Sequence, residues 1–159
     1  MSHRVGSGFD AHRLAAGRPL VLGGVRVPFD RGLAGHSDGD CLLHAVCDAL
    51  LGAAALGDMG RHFPSSDPRF EGVASLDFLA EVGRLVGDRG FVVENIDATV
   101  IAQAPALAPH LGAMRLAIGR CLGLPVEAVS VKAKSSDGLG ALGRGDGIAA
   151  MAVALLRSK

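Results

Sequence analysis

HSDGDCLLHAVCDALLGAAALGD, residues 36–58, decides how this chain reads. It opens on a dense polar cluster, His36-Ser37-Asp38-Gly39-Asp40, and turns into an apolar run. Leu43, Val46, Cys47, Leu50 and Leu51 recur at helical spacing and would face a core. Ser37 followed three residues later by Asp40 reads as a capping-box-like helix start, with Asp where Glu or Gln is usual. The helix is expected to end near Leu56-Gly57-Asp58. Asp40, His44 and Asp48, each four residues apart, would line a second stripe of it. Lys, Arg and Glu usually supply the wet face of a helix, yet no Lys or Arg occurs between Cys41 and Met59. A carboxylate–imidazole–carboxylate stripe suits a divalent cation or a proton relay better than a solvated face. The structural alternative for His44 is a partly buried imidazole satisfied by hydrogen bonds.

Working outward, Arg4 to His12 (RVGSGFDAH) reads as a short strand ending on Asp10-x-His12. Residues two apart on a strand share a face, so the two side chains point the same way. With His44 from a facing helix they form a plausible three-ligand zinc set, and three protein ligands leave a fourth tetrahedral position open, as in catalytic sites. Such a site can also activate water for hydrolysis. Gly6-x-Gly8 lacks the third glycine and the following helix of a dinucleotide fingerprint.

At 159 residues, the length prior gives one domain, residues 1–159. Hydrophobic residues make up 49% and charged ones 20%, a balance that excludes a disordered chain. Formal net charge is zero, which argues against nucleic acid or an anionic membrane as partner. There is no Trp or Tyr, so a base-stacking platform is unsupported. No apolar run reaches a membrane span, and the opening MSHRVGSGFD does not resemble a signal peptide. Cys41, Cys47 and Cys121 form no CxxC pair, which fits a reducing cytoplasm.

The remaining segments supply the rims. Pro19 to Pro28 reads as a hairpin turning at Gly23-Gly24. Asp58 to Pro64, with Gly60 and Phe63, reads as a polar turn able to border a site, and Ser65 to Pro68 as a second turn. Ser75 is expected to cap a helix ending by Gly90. Phe91 to Gln103 reads as a central strand buried on both faces, broken by Ala104-Pro105. A helix follows from Pro109, then strands at Val129–Lys134 and Ile148–Leu155. Between these strands, Ser135 to Gly147 combines two serines, five glycines and Arg144 beside lysines, the furnishings of a phosphate site. Asp137 among them would suit a hard cation such as Mg²⁺. No GK[ST] marks a P-loop.

Taken together, these residues resemble the 2-C-methyl-D-erythritol 2,4-cyclodiphosphate synthase family. The carriers are Gly8-Phe9-Asp10-Ala11-His12, His36 to Asp40, Leu43-His44-Ala45 and Asp48 to Asp58. Phe63-Pro64, Asp67-Pro68, Ala102-Gln103-Ala104-Pro105, Val131-Lys132-Ala133 and Gly143-Arg144-Gly145 continue the likeness to the end of the chain. The resemblance implies an α+β subunit, a mixed β-sheet backed by helices on one face plus a small β-hairpin, assembled as a homotrimer. It implies cyclisation of a cytidyl diphosphate substrate with loss of CMP. Asp10, His12 and His44 would hold Zn²⁺ or another divalent transition metal. Asp48 would steer His44, while Asp137 would hold Mg²⁺ or Mn²⁺ between the substrate phosphates. His36, Ser37 and Asp58 would line the sugar pocket, bordered by Gly60, Phe63 and Asp67. The Ala102–Ala108 turn (including Pro105, Ala106 and Leu107) and Ala133-Lys134-Ser135 would receive cytidine from the adjacent subunit. His36, Ser135 and Asp137 would act nearest the chemistry, and Arg144 would anchor a diphosphate. Asp137 stands where the family often has Glu, and Ala106 and Ala141 lack side chains that some relatives carry.

Overall fold

Every second residue of the first strand controls where the main helix can lie. The computed structural model describes residues 1–159. In chain order the elements are β1 (His3–Ala16), β2 (Leu20–Leu22), β3 (Val25–Val27), β4 (Arg31–Leu33), α1 (Cys41–Ala53), α2 (Met59–His62), α3 (Ser75–Asp88), β5 (Phe91–Ile101), α4 (Leu111–Leu122), β6 (Val129–Lys134), α5 (Gly140–Gly143) and β7 (Gly147–Ser158). The less exposed row of β1 runs Gly6, Gly8, Asp10, His12, Leu14. A Cβ on Gly6 would lie 2.0 Å from the Ala49 carbonyl oxygen, and one on Gly8 1.9 Å from that of Ala45. Helix α1 therefore rests directly on the backbone of β1 and runs antiparallel to it. Two strand residues and one helical turn rise by similar amounts, about 6.6 and 5.4 Å. The two elements thus stay in step from Gly6 to the level of Asp10. The Gly6-x-Gly8 pair is a seat for the helix.

β1 lies between β4 and β7 in a five-stranded sheet of order β4-β1-β7-β5-β6. Its register with β7 runs from His3↔Arg157 to Arg13↔Gly147. Only β5 and β6 are parallel, and α4 provides the crossover that such a pair requires. Ala150, Ala152 and Ala154 of β7 are buried, and their small side chains keep the helix close to the sheet. β2 and β3 form a separate hairpin, closed by Gly23 (φ 60) and Gly24 (φ 73) in the left-handed region. One core of 34 buried residues unites sheet, hairpin and helices. The fold is the mixed α+β arrangement expected.

Several local readings are corrected. Ser37 does not begin α1; Asp40 caps it, accepting the Leu43 N–H at 3.0 Å. Asp40 is also fully buried and accepts the N–H groups of Gly23 and Gly24 at 3.0 and 2.8 Å. Its carboxylate is engaged by these three N–H groups and so does not serve a polar stripe with His44. α1 ends at Ala53, not near Asp58, and Ala55 turns the chain with φ 56. The expected Asp58–Pro64 turn contains the single helical turn α2, which Asp58 caps through the Arg61 N–H. Ser75 is the first residue of α3 rather than its cap. β5 is an interior strand as expected, paired with β7 and β6, but it buries one face only: Ile96, Ala98 and Val100 are buried while Asn95 and Asp97 are exposed. The late loop holds the short helix α5.

Candidate active site and metal centre

Three donor atoms meet where the start of α1 passes β1. Asp10 Oδ2 lies 2.7 Å from His12 Nε2 and 2.9 Å from His44 Nδ1, and the two nitrogens are 3.3 Å apart. The side chains are 14–27% exposed, so the cluster is reachable from one side. Burial raises the Asp10 pKa, but the hydrogen bonds and charges of His12 and His44 outweigh it and hold the carboxyl well below the usual range. The bond to Asp10 raises His12 against the opposing effect of burial. His12 Nδ1 donates to the Ala34 carbonyl at 2.6 Å, which fixes the ring and leaves Nε2 facing the cluster. One carboxylate oxygen and two imidazole nitrogens, all within 4.8 Å of one another, are a donor set suited to zinc or a similar divalent cation.

The cluster opens into a recess of about 250 Å³, lined also by His36, Ser37, Asp48 and Phe63. Phe63, Phe70 and Phe78 pack edge and face, with ring centroids 4.6–5.8 Å apart, and form an apolar wall of the recess, Phe78 lying 6.4 Å from the His44 ring. A ligand here meets charge at one end and hydrocarbon at the other. His36 is exposed, its Nε2 3.3 Å from the Asp67 carbonyl oxygen. Ser37 is buried, and its Oγ accepts the Gly39 N–H. Asp48 does not bond His44; it accepts the Met59 N–H at 2.8 Å and so holds α2 against α1. Burial pushes the Asp48 pKa up.

Other expected site residues stand apart. Asp58 and Gly60 belong to α2 and its cap, and Asp67 caps the next turn and pairs with Arg69. None of these three lines the recess. The Ala102–Ala108 turn (Ala102, Pro105, Ala106, Leu107, Ala108) and Ala133, Lys134 and Ser135 form a second group at the ends of β5 and β6. There the Ala102 N–H bonds the Lys134 carbonyl at 2.9 Å. Asp137 joins this group: its N–H bonds Ser135 Oγ, and the next N–H, of Gly138, bonds Gln103 Oε1. No member of this group lines the recess. Arg144 lies on a third surface beside Arg13 and Arg31 and pairs with Asp146.

The sequence of the YgbB family matches residues 3–157. The chain belongs to the YgbB family. A curated relative, the 2-C-methyl-D-erythritol 2,4-cyclodiphosphate synthase of Burkholderia thailandensis, is 57% identical over 156 residues, 98% of this chain and 96% of that one. Among solved structures, the bifunctional IspDF from Campylobacter jejuni superposes with a TM-score of 0.96 at 39% identity. That alignment covers 99% of this chain but 43% of the bifunctional protein. A 2C-methyl-D-erythritol-2,4-cyclodiphosphate synthase in its CDP-bound form matches with a TM-score of 0.89 at 41% identity, over 97% of this chain and all of that one.

In this YgbB-family chain, sequence reading missed several groups. Asp38 and Ser75 contact the cluster through His44, Ala34 contributes its carbonyl, and Phe70 and Phe78 build the apolar wall. Asp38 was visible inside the opening polar cluster but carried no ligand spacing. Phe70 comes from the short turn at residues 68–70 and Phe78 from helix α3, so the two share no period.

Proposed function

We propose that this chain converts 4-diphosphocytidyl-2-C-methyl-D-erythritol 2-phosphate to 2-C-methyl-D-erythritol 2,4-cyclodiphosphate with release of CMP, a step of non-mevalonate isoprenoid biosynthesis. The observation that carries this reading is the Asp10–His12–His44 donor set opening into a recess with an apolar wall, in a chain 57% identical to a synthase of that name. An oxygen of the 2-phosphate bonds the β-phosphorus while the bridge to the α-phosphate breaks and leaves with CMP. A phosphate nucleophile is already ionised near neutrality, so the protein's tasks are positioning and charge neutralisation. When bound, a divalent cation supplies that neutralisation at the phosphate oxygens.

Asp10, His12 and His44 would hold Zn²⁺ or a related transition metal. His36 and Ser37 would orient the phosphorylated sugar, with its carbon skeleton against Phe63 and its neighbours. Asp137, with Ser135, would hold Mg²⁺ or Mn²⁺ on the diphosphate. Residues 102–108 and 133–135 would clasp cytidine for a neighbouring subunit's recess, a reading supported by their separation from this subunit's own recess.

A homotrimer is further supported by the bare face of the sheet, where Val5, Phe9, Met151 and Val153 are 45–69% exposed, with Phe9 directly opposite Met151. All of residues 1–159 would act as one domain. A cytoplasmic setting agrees with three free cysteines, and no helix is long and apolar enough to cross a membrane. The deciding experiment incubates the protein with the cytidyl substrate, with and without chelator. CMP plus the cyclic diphosphate, lost on chelation, is the expected result. Release of inorganic phosphate or a linear product would replace the synthase reading with a hydrolase.

A further inference from the structure

We propose that Asp38 and Ser75 form a positioning relay that selects the tautomer of His44 and so presents its Nδ1 lone pair to the metal centre. Ser75 is fully buried, and its hydroxyl lies between two partners: Oγ is 2.5 Å from Asp38 Oδ1 and 2.9 Å from His44 Nε2. Asp38 is a carboxylate whose second oxygen accepts the Ser75 backbone N–H at 2.9 Å. An ionised carboxylate only accepts, so the Ser75 hydroxyl proton points at Asp38. The serine oxygen then offers only lone pairs to His44, and Nε2 must be the nitrogen that carries hydrogen. Nδ1 faces Asp10 Oδ2 and His12 Nε2; with the hydrogen held on Nε2, its lone pair is turned to where a cation would stand, in place of a proton shared with Asp10. Metal-bound histidines commonly donate their other N–H to such a partner, which fixes tautomer and ring angle. Here a serine stands between ring and carboxylate.

The same two residues serve α3. Ala74, at its cap, has no side chain to accept an N–H, and Asp38 takes the Ser75 N–H from across the fold. The start of α3 and the orientation of His44 are thus set by one carboxylate. Ser37 Oγ, 3.3 Å from His44 Nε2, is the longer and weaker contact.

This inference rests on the reading of Asp10, His12 and His44 as a cation site, and the test separates the two. Zn²⁺ affinity is measured by chelator competition for the wild type, Ser75→Ala and Asp38→Ala. Nitrogen-15 spectra of the metal-free wild type at alkaline pH, where imidazoles are neutral, report the His44 tautomer. The expected results are an Nε2–H tautomer in the wild type, a Zn²⁺ affinity about 10- to 100-fold lower in Ser75→Ala, and mixed tautomers in Asp38→Ala, whose freed hydroxyl can turn toward the ring. An Nδ1–H tautomer in the wild type overturns the relay even where a variant fails to fold. Variant affinities equal to a tight-binding wild type also overturn it. A wild type that binds no Zn²⁺ removes the cation reading, while its tautomer still decides the hydrogen-bond relay.

Discussion

His44 carries the heaviest demand on a single residue, because it supplies one leg of the donor set and two contacts behind it. Replacing it with Ala is expected to strip the metal and turnover together; elemental analysis showing unchanged metal would remove it from the ligand set. Asp40, four residues earlier, has a purely structural part. Burial pushes its pKa from 3.8 up to about 6, against the N–H bonds from Gly24, Leu43 and Gly23. A folded-state pKa above the unfolded value means that the folded protein binds the proton more tightly. The stability this group contributes is therefore full below the unfolded pKa and is lost as pH rises through about 6. Relative to Asp40→Asn, which does not titrate, the wild type is expected to lose on the order of 3 kcal/mol between about pH 4 and pH 7. Chemical denaturation of both proteins across that range measures it, and parallel pH curves would refute the assignment. At this scale the sequence was legible where chemistry and spacing coincide, as for Asp10, His12 and His44. For Asp40 the helix cap was legible and is borne out, whereas its hydrogen bonds to a hairpin sixteen or seventeen residues earlier were not.

Helix α1 and strand β1 act as a pair whose separation is set by glycine. Gly8→Ala would drive a methyl carbon to within 1.9 Å of the Ala45 carbonyl oxygen, so the backbones must part. A loss of about 3 kcal/mol is expected, with weaker metal binding because His44 is carried away from Asp10 and His12. Gly87→Ala in α3, where nothing lies within 4 Å, is expected instead to gain up to about 1 kcal/mol. Thermal denaturation of the two variants tests the contrast, and equal effects would deny the close seat. Hydrophobic periodicity made α1 and α3 readable, and the Gly23-Gly24 turn signal the hairpin. The existence of the seat was not, since a Gly-x-Gly pair looks the same in a loop, a bulge or under a helix. The misjudged burial of β5 has a related cause: its apolar run records small and β-branched residues, whereas helices cover only one side of the sheet.

For the whole molecule, the uncovered sheet face is the surface on which assembly would act. Phe9→Asp places a charge opposite Met151 on that surface and is expected to yield monomers in sedimentation with little turnover. A monomer that turns over fully would contradict an inter-subunit site. If Asp137 holds the second cation as proposed, Asp137→Ala is expected to bind Zn²⁺ as the wild type does yet lose any Mg²⁺ dependence of the rate; an unaltered Mg²⁺ profile would free Asp137 from that part. The bare sheet face itself was not legible in the sequence, because hydrophobic periodicity does not say which side of a sheet the helices cover. The row Gly6, Gly8, Asp10, His12 has a last implication, for how the protein reaches its native pairing. Were β1 to slip one residue against β7, Phe9 would fall under α1, where not even a methyl group fits, and Val5, Ser7 and Ala11 would occupy the other inward places. The slipped chain could neither close its helix on the sheet nor gather two of its three metal donors. Strand alignment is thereby checked twice, once by the fit of the helix on the two glycines and once by whether Asp10 and His12 come to face His44.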